Sequence, residues 1–121
     1  MESTVTVQDG LQRNFRADKL NVYVYESRPK MGNAAASVIA AEIRLAIQQR
    51  GRAVVILASA PSQNEFLASL AEAPDIDWSR VTAFHLDEYL GMDEKAPQSF
   101  RRFLIDRLVD KVPLGQLRFT W

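Results

Sequence analysis

Apolar and polar residues follow a strand-like or helix-like spacing along most of the chain. Residues 20–25 are rich in β-branched and aromatic side chains, which predicts a strand. In residues 32–50 apolar side chains recur three and four positions apart, which predicts a helix that begins near Asn33 as N-cap and ends before Gly51. The predicted apolar stripe of this helix consists of Ala35, Val38, Ile39, Ile43, Ala46 and Ile47. Residues 53–58 form a continuous apolar run, which predicts a strand buried on both faces of a parallel sheet.

The remaining pattern extends the alternation of strands and helices. Residues 1–19 are predicted to be a loosely ordered lead-in with short strand character at 4–7, and residues 27–30 to be a break. A helix over 63–71, a strand over 81–86, a helix over 99–109 and a strand over 117–121 follow. The order predicts a Rossmann-like, doubly wound α/β fold with a mostly parallel sheet flanked by helices. Residues 20–121 are then the N-terminal portion of one such domain, because a strand that stops at Trp121 indicates truncation.

Composition and charge narrow the classes of function. The 15 basic and 15 acidic residues balance, which argues against a nucleic-acid partner or a basic membrane-binding patch. The absence of cysteine excludes disulfides and thiolate metal sites, and one histidine leaves little scope for a metal site. The sequence contains neither an apolar run of membrane-spanning length nor a secretory signal, so we expect a cytoplasmic protein.

The turn after the predicted strand at 53–58 is one candidate binding site. Helix N-termini at the carboxyl edge of a parallel sheet offer unpaired N–H groups to anions. Ser62 and Glu65 have the spacing of a capping box, which places a helix start at Ser62, and the hydroxyls of Ser59 and Ser62 could add donors. The alternative is that Ser62 only caps the helix. The turn contains no glycine, and Pro61 has no N–H group to offer.

The end of the predicted strand at 81–86 is a second candidate. A carboxylate there can be partly desolvated, which raises its pKa towards that of a useful general base. Either Asp87 or Glu88 could serve, and strand alternation puts them on opposite sides, with His85 on the side of Asp87. The alternative is a solvated acidic turn beside a half-buried histidine.

Specific residues in this region resemble a known family. Residues 84–91 read F-x-x-D-E-Y-x-G, and residues 97–100 read Pro-Gln-Ser-Phe, similar to a P-x-S-[YF] stretch. Together with the strand, serine-bearing turn and helix before them, these motifs over residues 54–112 resemble the N-terminal half of glucosamine-6-phosphate deaminases and the wider sugar-phosphate isomerase/deaminase family. Where the family turn usually reads T-G-x-T-P, this chain has Ser59-Ala60-Pro61-Ser62-Gln63.

The resemblance implies an enzyme that binds a hexose 6-phosphate and moves a proton between C1 and C2 of the opened sugar. It implies that Asp87 is the catalytic base, with no metal or organic cofactor and with assembly as a homo-oligomer. The substrate-binding residues it implies are Ser59, Ala60, Ser62, Gln63 and Glu88. Because the family domain is longer, we expect this chain to be inactive or nearly so alone. The alternatives are a 6-phosphogluconolactonase-like hydrolase and a non-catalytic module that binds sugar phosphates.

Overall fold

The fold combines a small hairpin with a parallel sheet and its helices. A computed structural model describes residues 9–88, 90–93 and 96–118. Strands β1 (Leu11–Ala17) and β2 (Leu20–Tyr25) pair antiparallel, while β3 (Ala53–Leu57), β4 (Val81–His85) and β5 (Gln116–Arg118) form a parallel sheet in that order. The helices are α1 (Arg28–Arg50), α2 (Asn64–Ala71) and α3 (Phe100–Leu104), with 3₁₀ turns at Pro61–Gln63 and Trp78–Arg80 and a π-helical turn at Ile105–Val109. The predicted α/β class with a mostly parallel sheet is confirmed.

The N-terminal part of the described chain differs from its prediction. Residues 11–17, predicted as lead-in, form β1, which pairs with β2 across a turn where Asp18 adopts a φ of 55°. Strand β2 therefore lies in the hairpin, whereas the alternating pattern placed it in the parallel sheet. The strand character predicted at 4–7 and the last residues of the strand predicted at 117–121 lie outside the described residues.

Helix α1 begins earlier than its apolar pattern indicates. The Ser27 hydroxyl accepts from the N–H of Lys30 at 3.3 Å, and Pro29 lies in the first turn, where its missing N–H costs nothing. The segment predicted as a break is thus a helix start. Gly51 ends the helix as predicted, with a φ of 75° and its N–H donating to the Ile47 carbonyl oxygen. Asn33, the predicted cap, lies within the helix.

The buried face of α1 agrees only in part with the predicted apolar stripe. Ile43 and Ala46 of the stripe are buried, Ile39 and Ile47 pack partly buried against the core, and the other buried residues are small. Val38, which belonged to that stripe, is exposed. Most side chains on this face are small because α2 packs against it at close range. The buried residues are Gly32, Ala34, Ala36, Ala40, Ile43 and Ala46. In the described part of the chain, no helix is both long enough and apolar enough to cross a membrane.

The parallel sheet is covered by helices on one face. Ala53 and Leu57 of β3 are buried against the core, whereas Val54 and Ile56 on the other face are 58% and 66% exposed. The connections from β3 to β4 and from β4 to β5 both cross the sheet in the same direction. Because such crossovers are right-handed, α2 and α3 lie on the same side of the sheet. The prediction that this strand is buried on both faces is wrong, because an apolar run does not reveal what covers it.

Candidate functional site

The carboxyl ends of β3 and β4 form one rim of the sheet. The two strands are paired up to Leu57 and His85, and the N–H of Leu86 donates to the Leu57 carbonyl oxygen at 2.9 Å. Because the register is in step, Ser59 and Asp87 each follow their strand by two residues and leave neighbouring strands at the same level. The predicted adjacency of the two candidate segments is confirmed. All three helices start at this rim.

Asp87 is exposed at the rim while its backbone is anchored from below. The buried His85 side chain donates from Nδ1 to the Asp87 carbonyl oxygen at 3.0 Å. Regular strand structure ends at His85, so the predicted alternation does not continue: the histidine points into the protein and the carboxylate does not accompany it. The consequence is an accessible carboxylate on a backbone whose position is fixed.

Glu88 has the opposite environment. Its side chain has 0% exposed surface. One carboxylate oxygen accepts from the N–H of Phe100 at 2.9 Å, and the other accepts from the Ser99 hydroxyl at 2.7 Å and from the Arg101 N–H and Nε at 3.0 Å each. The carboxylate thus supplies the anion at the start of α3, whose own first turn has no acidic residue. The predicted contact of Glu88 with substrate would require this buried group to be released.

The same contacts join α3 to the turn after β3. Ser99 caps the helix, its hydroxyl accepting from the N–H of Arg102 at 3.2 Å. The buried Ser59 side chain donates its hydroxyl hydrogen to the Phe100 carbonyl oxygen at 3.1 Å, so Ser59 and Glu88 both hold the first residue of α3. The sequence did not predict the structural roles of Arg101 and Glu88, which form a buried pair. The only sequence signal was a helix start without an acid of its own.

The turn itself is built differently from its prediction. The chain forms a 3₁₀ turn over Pro61–Gln63 before α2, and neither N-cap residue, Ala60 or Gln63, caps with its side chain. The capping box predicted for Ser62 and Glu65 is therefore absent, since Glu65 pairs instead with Arg28 at 2.9 Å. Ser62 is exposed, and a groove of about 230 Å³ opens beside Ser62 and Gln63.

The fold and the rim define an α/β protein with an accessible carboxylate and a serine-bearing turn at the carboxyl edge of a parallel sheet. A sequence profile of the family "Glucosamine-6-phosphate isomerases/6-phosphogluconolactonase" matches residues 26–120. The chain belongs to this family.

Two relatives of known sequence are glucosamine-6-phosphate deaminases. The glucosamine-6-phosphate deaminase of Alkaliphilus metalliredigens is 30% identical over 102 residues, which are 82% of this chain and 40% of that protein. A protein of the same name from Exiguobacterium is 51% identical over 41 residues, which are 34% of this chain and 16% of that protein. The chain therefore spans less than half the length of the relatives it matches.

Two similar solved structures, a 6-phosphogluconolactonase and a glucosamine-6-phosphate deaminase, support the fold. A 6-phosphogluconolactonase from Shewanella baltica superposes with a TM-score of 0.72 at 22% identity, over 78% of this chain and 40% of that one. A monomeric glucosamine-6-phosphate deaminase superposes with a TM-score of 0.65 at 19% identity, over 77% of this chain and 39% of that one. At these identities the likeness is one of fold.

Proposed function

We propose that the chain is the part of a glucosamine-6-phosphate deaminase (isomerising) that carries the proton-transferring base, Asp87, and the phosphate-binding turn at Ser59, Ala60, Ser62 and Gln63. The observation that carries the proposal is the placement of Asp87. Asp87 is exposed at the same edge of the sheet as the turn, and its backbone is fixed by His85 on one side and through the buried Glu88 on the other. The deaminase name of the sequence relatives favours this activity.

A carboxylate suits the chemistry because the proton to be moved lies α to a carbonyl group. In the opened amino sugar, Asp87 takes the C2 proton, and the electrons of the C–H bond form an enolamine between C1 and C2 while O1 takes a proton from solvent. Return of the proton from Asp87 to C1 leaves an iminium at C2. Water adds to this iminium, and cleavage of the C2–N bond releases ammonia and fructose 6-phosphate. One base on one face of the sugar serves both proton transfers.

Loss of the base tests this proposal. We expect Asp87→Asn to slow the exchange of the C2 hydrogen of glucosamine 6-phosphate in D₂O at least about 100-fold, the usual contribution of a general base. The 121-residue chain is expected to release little or no ammonia alone, but exchange needs fewer groups than ammonia release, so exchange in this chain is followed by proton NMR over long incubations. The matched control is Asp93→Asn, which removes an exposed carboxylate six residues further along and should leave the rate unchanged.

The test also separates the alternatives. Normal exchange by Asp87→Asn would show that another group is the base. The family's second name supports a 6-phosphogluconolactonase-like hydrolase, which would hydrolyse the lactone without exchanging the C2 hydrogen. Binding of hexose phosphate with neither reaction, in both the unmodified chain and the variant, would instead support a non-catalytic module that binds sugar phosphates.

A further inference from the structure

Arg28 lies at the turn that the proposed function assigns to phosphate. It is the first residue of α1, and because α1 starts at the rim its side chain reaches across to the turn after β3. Its Nη2 donates to the Pro61 carbonyl oxygen at 2.8 Å and to a Glu65 carboxylate oxygen at 2.9 Å. Arg28 is also one of the residues that line the groove beside Ser62 and Gln63.

Most of the hydrogen-bonding capacity of Arg28 is still available. A guanidinium has five N–H donors, and Nη2 supplies two of them. Its Nε and Nη1 meet no acceptor within the described residues, and its side chain is 56% exposed. Three donors of a permanently charged, half-exposed side chain that lines the groove therefore have no acceptor within the described residues.

The turn needs such a donor because it is poor in donors of its own. Turns that bind phosphate usually contain glycine, since a Cβ keeps the backbone N–H groups at a distance from the anion. Here Ala60 carries a Cβ and Pro61 has no N–H at all. A guanidinium matches two phosphate oxygens with parallel N–H groups, so one side chain can replace several backbone donors.

We propose that Arg28 binds the phosphoryl group of the hexose phosphate at this groove, and that Glu65 weakens this binding by competing for the same guanidinium. The inference rests on the proposed function, because it names a binding residue of that site. It departs from a purely structural reading, in which the ion pair between Arg28 and Glu65 only ties α1 to α2.

Two variants that break the same ion pair distinguish these readings. Binding of glucosamine 6-phosphate to the 121-residue chain is measured by chemical-shift titration, with inorganic phosphate and unphosphorylated glucosamine as further probes. We expect Arg28→Gln to weaken binding of both phosphate probes about tenfold or more, and Glu65→Gln to tighten it by up to about fivefold. Glucosamine alone should respond to neither variant.

The control is Arg50→Gln, which removes the same charge from the other end of the 23-residue helix, roughly 33 Å away. It should change affinity less than about twofold, because that distance exceeds several screening lengths at 0.15 M salt.

Equal weakening by Arg28→Gln and Arg50→Gln, or weakening by both Arg28→Gln and Glu65→Gln, would overturn the role of Arg28. If the unmodified chain binds neither phosphate probe, the proposed function fails as well. Binding that is independent of Arg28 overturns this inference alone.

Discussion

At the scale of single residues, Asp87 and Glu88, the two acidic residues that follow β4, differ in environment and in role. Asp87 is exposed, whereas Glu88 is fully buried and accepts from two backbone N–H groups, the Ser99 hydroxyl and Arg101. A buried carboxylate is stable only when such donors surround it. The pair therefore works as one unit, in which Glu88 holds the backbone that presents Asp87.

Truncating Glu88 should destabilise the protein strongly. Glu88→Ala removes the buried carboxylate that pairs with Arg101, whose side chain is 13% exposed, and that accepts from the N–H groups of Phe100 and Arg101 at the start of α3. We expect the free energy of unfolding to fall by about 3–5 kcal/mol, the cost of breaking a buried pair by removing one partner. Urea denaturation followed by circular dichroism measures it. Glu72→Ala, at an exposed carboxylate, should change stability by less than about 0.5 kcal/mol, and equal effects would contradict the role given to Glu88.

The sequence predicted residue positions better than residue roles. Ser99 as a cap and Gly51 as a helix end were predictable, because each acts through its own local backbone. The partners of Glu88 and Glu65 were not, since they come from segments more than ten residues away. The spacing of Ser62 and Glu65 indicated a capping box, but the competing pair with Arg28 determines where Glu65 lies.

At the scale of elements, the contact between α1 and α2 is as close as backbone geometry allows. A Cβ at Gly32 would lie 2.7 Å from Glu65 Cβ and 2.9 Å from the Phe66 backbone nitrogen. These are parts of the α2 backbone or fixed directly to it, so they cannot turn aside. The small residues on the buried face of α1 have the same cause, which is why the apolar periodicity predicted that face only in part.

Substituting Gly32 should therefore reverse the usual effect of helix propensity. Replacing a glycine within a helix by alanine normally raises the free energy of unfolding by about 1 kcal/mol. Here the overlap of the new Cβ with α2 should instead lower it by about 1–3 kcal/mol. Thermal and urea unfolding both report the change. Ala35→Gly, at an exposed position one turn later, provides the control and should lose about 1 kcal/mol. A stabilised Gly32→Ala variant would show that the two helices are further apart.

At the scale of the whole molecule, the described chain contains two sheets that differ in how much of their surface is packed against the core. The parallel sheet shares one core with all three helices, whereas most residues of the β1–β2 hairpin are exposed. The family match begins at residue 26, immediately after that hairpin. The α/β class was predictable from alternating periodicity. The pairing of β2 with β1, and the open face of β3, were not, because both depend on what each strand meets in space.

Hydrogen exchange should separate the two sheets. An isolated two-stranded hairpin is marginally stable in water, so its amides should exchange through local opening. We expect amides of β1 and β2 to be protected at least about 100-fold less than those of β4, which is paired on both sides. Exchange followed by NMR at neutral pH measures both sets in one sample. Similar protection in both sheets would mean that the hairpin unfolds only with the core.

The common starting edge of the three helices has an electrical consequence. Each helix concentrates a fraction of a positive charge at its first turn through its aligned peptide dipoles, and peptide groups do not titrate between pH 4 and 10. The chain is neutral overall, so this edge is polarised without any net charge on the molecule. Glu88 already supplies the anion at the start of α3, so the attraction for other anions should come from the starts of α1 and α2 and decline mainly as ionic strength rises.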